Sequence, residues 1–296
     1  MSSRLSIVIA AWNDAASLER CLRSLPGDDG DEGDDEVIVS TNLVIPEGLR
    51  AQFPRVRFLV HAAATTVPEL RSAAVFEAAG DIVAITEDHC RFGTGWRQHV
   101  KEAHQGSESA IGGPVENARV EHPLDWAVYF YDYGKYMLPL QRGPASQLSG
   151  ANASYKRAAL MAESESFRDG FFEPVVHGAL SQKHGRLSLN PNPVVYHDKS
   201  YRLAEAVGQA YHLARSYAAL RTQYGARWRC HVLAAGAPLL FFILPARVVM
   251  QVLAKRRKRK ELLRCLPYLL VLTASWAWGE LRGYLGGAGS SRSRWR

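Results

Sequence analysis

Residues Gly80-Asp81-Ile82-Val83-Ala84-Ile85-Thr86-Glu87-Asp88-His89 decide how the rest of the chain is read. An apolar run passes there straight into three consecutive polar side chains able to ligate a metal. Val83, Ala84 and Ile85 read as a strand covered on both faces, and in an open α/β sheet ligands gather beyond the carboxyl ends of such strands. The alternative for Glu87, Asp88 and His89 is a solvated turn, and the flanking sequence has to decide between them.

Upstream, Leu5 to Ala11 is a first apolar strand, Trp12-Asn13-Asp14 a turn, and Ala15 to Leu25 a helix with Leu18, Cys21, Leu22 and Leu25 on one face. Strands follow at Glu36 to Ser40 and Val56 to Val60, with a short helical segment near Pro46 to Phe53 between them. Helix Val67 to Ala79 then leads into the opening stretch. Strands alternating with helices over short connections imply an α/β fold, a mostly parallel sheet with helices on both faces, an architecture that commonly binds nucleotides. Ala10-Ala11-Trp12-Asn13-Asp14 carries neither GxGxxG nor GxxxxGK[ST], which disfavours a dinucleotide oxidoreductase or a P-loop phosphotransferase. Asp28 to Asp35, nearly all Asp, Glu and Gly, reads as a mobile surface loop, with a calcium site the alternative despite lacking EF-hand spacing.

The 296 residues allow one sizeable core plus an appendage, and 47% hydrophobic with 22% charged residues is an ordinary globular balance. The net charge of +7 is unevenly placed. From Ala226 onward 14 Lys and Arg stand against Glu261 and Glu280, a balance of +12, which leaves −5 on the first 225 residues. Because that basic tail is also the most apolar part, an anionic membrane surface is its expected partner. Nucleic acid is not, since Lys255 to Lys260 has no interleaved aromatics. Cys21, Cys90, Cys230 and Cys265 show no metal-ligand spacing and read as reduced, as in a cytoplasmic body, and no long apolar run follows Arg4 to suggest a signal peptide.

Ile7-Val8-Ile9-Ala10-Ala11-Trp12-Asn13 followed by Ser17 to Leu25 resembles the opening of family 2 inverting glycosyltransferases of the GT-A fold. The likeness continues in order through Arg71, Ala79 to Ala84, the acidic triplet, Trp96, Ser149 to Arg157, Phe171-Phe172-Glu173, and Gly185 to His197. It spans about the first 200 residues. The resemblance implies a nucleotide-sugar donor, a hydroxyl acceptor and a divalent metal, Mn²⁺ or Mg²⁺, to stabilise the diphosphate leaving group as a Lewis acid. It puts Glu87, Asp88 and His89 on the family's DxD-like motif, with Glu87, His89 and the later His197 as metal ligands. His89 stands where the family usually has Asp; imidazole suits Mn²⁺, whereas Mg²⁺ prefers oxygen. Asn13, Ser40, Arg71, Asp81 and Asp88 fall at donor-binding positions, Ser40 where the family more often has Asp. Inverting transfer needs a general base, and the resemblance places it at Glu173, with Pro174 in place of the customary second acid. Asp169 and His177 are fallbacks, and Glu173 could instead cap a helix from Pro174 to His184. The aromatic stretch Trp126 to Met137 falls on an acceptor-side segment, with core filling as the alternative.

Beyond a connecting helix, Leu203 to Tyr224, two apolar runs follow: Val232 to Ala254, uncharged except for Arg247, and about Cys265 to Leu281, broken late by Glu280. Each nears the ~20 residues needed to span a bilayer. Two full spans would put Lys255 to Lys260 opposite a cytoplasmic body, against the positive-inside rule, whereas an interfacial hairpin would not. A buried helical hairpin at a dimer interface is the non-membrane alternative. The expectation is therefore a GT-A catalytic domain over residues 1–200, a connector over 201–229 and a helical membrane hairpin over 230–296. The function expected is metal-dependent inverting glycosyl transfer, to a lipid-linked or membrane-proximal acceptor given the apolar tail. A catalytically degenerate nucleotide-binding or scaffold protein at the membrane is the alternative.

Overall fold

The computed structural model describes residues 3–25, 35–222 and 227–294. The acidic run and its calcium alternative lie outside these, save for Asp35, whose carboxylate accepts from Leu5 N at 2.9 Å and pairs with Lys101 at 3.0 Å. The chain forms two compact units: residues 1–118 with 136–199, and residues 119–135 with 200–296.

The first unit runs β1 (Leu5–Ala11), α1 (Ala15–Arg23), β2 (Glu36–Thr41), α2 (Glu47–Gln52), β3 (Val56–Val60), α3 (Val67–Glu77) and β4 (Ile82–Glu87). It continues with β5 (Cys90–Phe92), α4 (Trp96–Ala103), β6 (Ala110–Gly112) and β7 (Val115–Asn117). After α5 (Pro123–Tyr133), which belongs to the other unit, come β8 (Gly143–Ala145), β9 (Ala153–Lys156), α6 (Arg157–Ala162), α7 (Glu173–Lys183), β10 (Leu187–Leu189) and β11 (Val195–His197).

Strands order as β3-β2-β1-β4-β9-β6-β10-β8. The first four are parallel, joined in chain order by α1, α2 and α3. Two of these helices start on a local signal. Asp14 caps α1 by accepting from Ser17 N at 2.7 Å, and Thr66 with Glu69 forms a capping box on α3. β9 then joins β4 antiparallel, and β6 and β10 run parallel to each other beyond it. Every residue of β4 is buried, as expected of an interior strand flanked on both sides. Val83, Ile85, Tyr155, Phe167, Phe171 and Leu180 join one core beside it. A smaller sheet, β5-β11-β7, pairs His197 with Cys90 and so brings β11 beside the residues that follow β4.

In the second unit, α8 (Leu203–Thr222), α9 (Arg227–Gly236), α10 (Leu240–Ala254) and α11 (Arg259–Gly286) pack together with α5. Trp126, Tyr129 and Phe130 of α5 are buried in ring contacts with one another, so those three fill the core. Trp228–Ala254 and Arg259–Gly286, 27 and 28 residues, are long and apolar enough to cross a membrane. Their outward faces stay apolar, with Phe242, Ile243, Met250, Leu263 and Trp278 exposed.

Candidate active site

The registers Ala10↔Ser40 and Ala10↔Glu87 line up the carboxyl ends of β2, β1 and β4 in one row. Beyond that row Asp88, fully buried, ties the two central strands together. Its Oδ2 accepts from the backbone N–H groups of Trp12 at 3.0 Å and Asn13 at 2.8 Å, and its own N–H donates to Ala10 O. Its Oδ1 faces His89 Nδ1 at 3.1 Å, while His89 Nε2 faces Glu87 Oε2 at the same distance.

An imidazole that meets carboxylates at both nitrogens donates from both, so His89 is held as the imidazolium. Burial works against that charge, but the hydrogen bonds and charges of Asp88 and Glu87 overcome it and raise the His89 pKa to about 9. Burial likewise works to raise the Glu87 carboxyl, and His89, Arg71 and His197 outweigh it, holding it at about 2. The His197 ring lies edge-on to His89 at 4.8 Å between centroids. Burial, with the His89 charge behind it, pushes the His197 pKa well below its usual value, which leaves the neutral form that ligates metals.

Arg71, on α3, joins this cluster to the start of α7. Its Nη2 meets Glu87 Oε1 at 2.6 Å and its Nη1 meets Glu173 Oε1 at 2.5 Å, with only 5% of the guanidinium side chain exposed. Gly150 leaves the room for this bridge: a Cβ there would stand 2.9 Å from Arg71 Nη2 and overlap the Glu173 carboxylate. Pro174 occupies the first turn of α7, where its missing N–H has no intrahelical partner to lose.

Glu87, Asp88, His89, Arg71, Glu173 and His197 are therefore brought together. Ser40 reaches the same edge, its hydroxyl 2.9 Å from His61 Nε2, and the Asn13 side chain is engaged with Asp14 and Ser17 at the start of α1. Asp81 is not with them. It precedes β4 and accepts from Arg4 N at 3.1 Å, which over six strand residues puts it roughly 20 Å from Asp88. His177, a fallback base, is buried between Tyr155 OH at 2.9 Å and Gln147 Oε1 at 3.0 Å, as a core histidine would be.

Two participants escape sequence reasoning. Trp12 turns its ring edge-on to His89 at 5.3 Å, and its buried indole N–H finds no hydrogen-bond acceptor among the described residues. Its place one residue after the β1 run was the available signal. Gly150 had only its place in the Ser149-Gly150-Ala151-Asn152 motif. Among the described residues no three His, Cys, Asp or Glu side chains form a ready-made metal group, because His89 spends both nitrogens on Asp88 and Glu87.

This sheet order, with acidic residues and histidines at the carboxyl ends of β1 and β4, defines a GT-A-like glycosyltransferase fold followed by helices apolar enough for a membrane hairpin. Among solved structures the chain is similar to a mannosyltransferase from Pyrobaculum calidifontis in complex with GDP-Man and Mn²⁺: TM-score 0.54, 16% identity, 94% of this chain and 88% of that one covered. It is also similar to GalNAc-T7 with UDP, GalNAc and Mn²⁺ (TM-score 0.52, 12% identity, 68% of this chain and 44% of that one). A third is residues 1–349 of Staphylococcus aureus TarS, with TM-score 0.52, 11% identity, and 92% of this chain and 91% of that one covered. No family profile and no curated protein sequence matches the chain.

Proposed function

We propose that the chain is a membrane-associated inverting glycosyltransferase that moves a sugar from a nucleotide-sugar donor to a hydroxyl, its catalytic unit facing the cytoplasm. The observation that carries this is the meeting of Glu87, Asp88, His89 and His197 with the Arg71–Glu173 pair at the carboxyl ends of the central strands. The neighbours' nucleotide and Mn²⁺ ligands support the donor class.

A divalent cation fits by donor type. Glu87 supplies an oxygen facing an imidazole nitrogen at 3.1 Å, and His197 a second, neutral imidazole, a mixed set that suits Mn²⁺ better than Mg²⁺. When bound there, such an ion would stabilise charge on the departing diphosphate. The chain's own residues do the rest. Asp88 fixes the turn that carries Asn13 and Trp12, and the Trp12 indole N–H is a donor ready for a phosphate or ribose oxygen. Glu173 takes the acceptor proton as the hydroxyl attacks the anomeric carbon opposite the leaving group. Arg71 orients Glu173 through Oε1. Asp81, at the far end of β4, takes no part in this scheme. The exposed apolar face of the helical unit supports a bilayer-proximal acceptor, a lipid-linked hydroxyl above all.

Turnover of GDP- and UDP-sugars with membrane extract as acceptor tests the reading. Glu173→Gln is expected to lose about 10²- to 10⁴-fold in rate, the usual worth of a general base, with nucleotide affinity kept. An undiminished rate removes Glu173 as base. One observation favours a non-catalytic nucleotide-binding protein: Pro174 stands beside Glu173 with no second carboxylate. Calorimetry with nucleoside diphosphates separates the two, since Mn²⁺-dependent binding without turnover of any donor is the scaffold's result.

A further inference from the structure

Length and composition would let α9–α10 and α11 cross a bilayer, but the helices packed beside α11 argue against it. α5 lies along α11 from Lys258 to Trp276: Lys258 covers the Trp126 ring at 5.1 Å, and the Tyr131 and Trp276 rings stand 5.7 Å apart. α8 takes over from Ser275 to Gly287, running in the same direction as α11. Ser275 Oγ donates to Val207 O at 2.8 Å, and Gly279 and Gly283 meet the backbone of Tyr211 and Arg215 with no room for a Cβ. Neither neighbour is built for hydrocarbon. α5 has 11 residues, exposes Asp132 and continues at both ends into the first unit. α8 carries Glu205, Gln209, His212, Arg215 and Arg221, of which Arg215 bonds Gly287 O and Arg221 pairs with Glu280. Every stretch of α11 long enough to cross therefore has a polar helix fixed to it, and ionisable groups are costly in hydrocarbon.

Charge leads to the same arrangement. Arg256, Arg259, Lys260 and Arg264 are exposed at one end of the α10–α11 pair. Arg229 and Arg282 are exposed towards the other, where Ala234, Ala237 and Tyr284 cluster. A crossing would carry one basic set to the far side, against the positive-inside rule, whereas lying flat leaves both at anionic headgroups. Between the two sets Phe242, Ile243, Met250, Leu270, Val271 and Trp278 are exposed.

We propose that the helical unit binds a single leaflet of an anionic bilayer, with α10 and α11 in the membrane plane, their exposed apolar side chains sunk to the headgroup–acyl boundary, and α5 and α8 held towards water. The inference rests on the reading that this unit meets a membrane, and goes beyond it by excluding a span.

Spin labels at Leu263→Cys, Val271→Cys and Leu285→Cys, placed singly in a Cys230→Ser background, test it. These three side chains are exposed, and Cys21, Cys90 and Cys265 are buried. The full chain is reconstituted from detergent into equimolar phosphatidylglycerol and phosphatidylcholine vesicles, a route open to either arrangement, and depth is read from collisions with oxygen and a nickel complex. Positions 263 and 285 are roughly 33 Å apart along the helix, so the two arrangements give different depth profiles. The three labels are expected at one depth, roughly 5–10 Å into the headgroup–acyl boundary. A label at 271 near the midplane, with 263 and 285 near opposite surfaces, overturns the proposal and leaves membrane attachment standing. Labels shielded from both oxygen and nickel, in a chain of dimeric mass, put a second copy on this face and overturn it. Failure of the chain to float with the vesicles overturns membrane attachment as well.

Discussion

At the scale of single residues, the site is held by charges that only make sense together. His89 carries a folded-state pKa of about 9 against an ordinary 6.5, so the stability it contributes is complete below pH 6.5 and is lost as pH rises towards 9. Glu87, held at about 2 against 4.5, contributes stability above pH 4.5 that is lost as pH falls towards 2. The metal-free protein should therefore melt at a lower temperature at pH 9 than at pH 6.5, and His89→Gln should flatten that slope in thermal scans across the interval. Because a cation must displace the His89 proton, Mn²⁺ affinity measured by titration should rise over the same interval. Gly150→Ala is a second probe. The added Cβ collides with Glu173 and crowds Arg71, so turnover should fall at least tenfold while far-UV dichroism stays unchanged. Retained activity would show that the Arg71–Glu173 pair is not needed in this geometry.

At the scale of elements, β4 and α11 are the two that the rest of each unit packs around. A Cβ on Gly283 of α11 would lie 2.5 Å from Arg215 O and 2.6 Å from the Ala218 Cβ, and one on Gly279 would lie 2.9 Å from the Ala214 Cβ. The α8–α11 contact is thus a close approach of two backbones with no room for a side chain. Gly283→Leu should destabilise the helical unit by about 1 to 3 kcal/mol through overpacking, read as a lowered melting temperature, whereas Gly286→Ala, with open space around it, should cost little. In the first unit, His104 is buried against Ser154 Oγ at 2.8 Å, and burial followed by the charge of Lys156 lowers its pKa to about 4. It must stay neutral in the folded chain. Stability should fall as pH drops from 6.5 towards 4, where only the unfolded chain takes up the proton, and His104→Asn should remove that part of the acid sensitivity.

At the scale of the molecule, charge is partitioned with hydropathy: a body of −5 and a tail of +12 whose cations concentrate between two apolar helices. Arg256 and Lys258 adopt positive φ in that connection, and Lys258 lies over the Trp126 ring at 5.1 Å, so the basic turn is shaped by its own unit. Replacing Lys255 to Lys260 by Gln should weaken adsorption to anionic vesicles by about 1 kcal/mol per residue, and raised salt should do the same in a sedimentation assay. The β1 to β4 half of the sheet, α1 and the apolar hairpin were legible in the sequence because they rest on local signals: unbroken apolar runs, the one-sided apolar spacing of α1, and length. So was the triplet Glu87-Asp88-His89, since it follows directly on the strand that presents it. Tertiary structure alone decided which residues share a site. Arg71 and Glu173 are 102 positions apart and pair at 2.5 Å because the N-terminal parts of α3 and α7 come together. His197 reaches His89 through the β11–β5 ladder. Asp81 stands apart for a reason already present in the sequence, since the whole length of β4 separates it from Asp88. Sequence spacing fixes distance only along one element; side chains from different elements meet where strand register and helix packing put them.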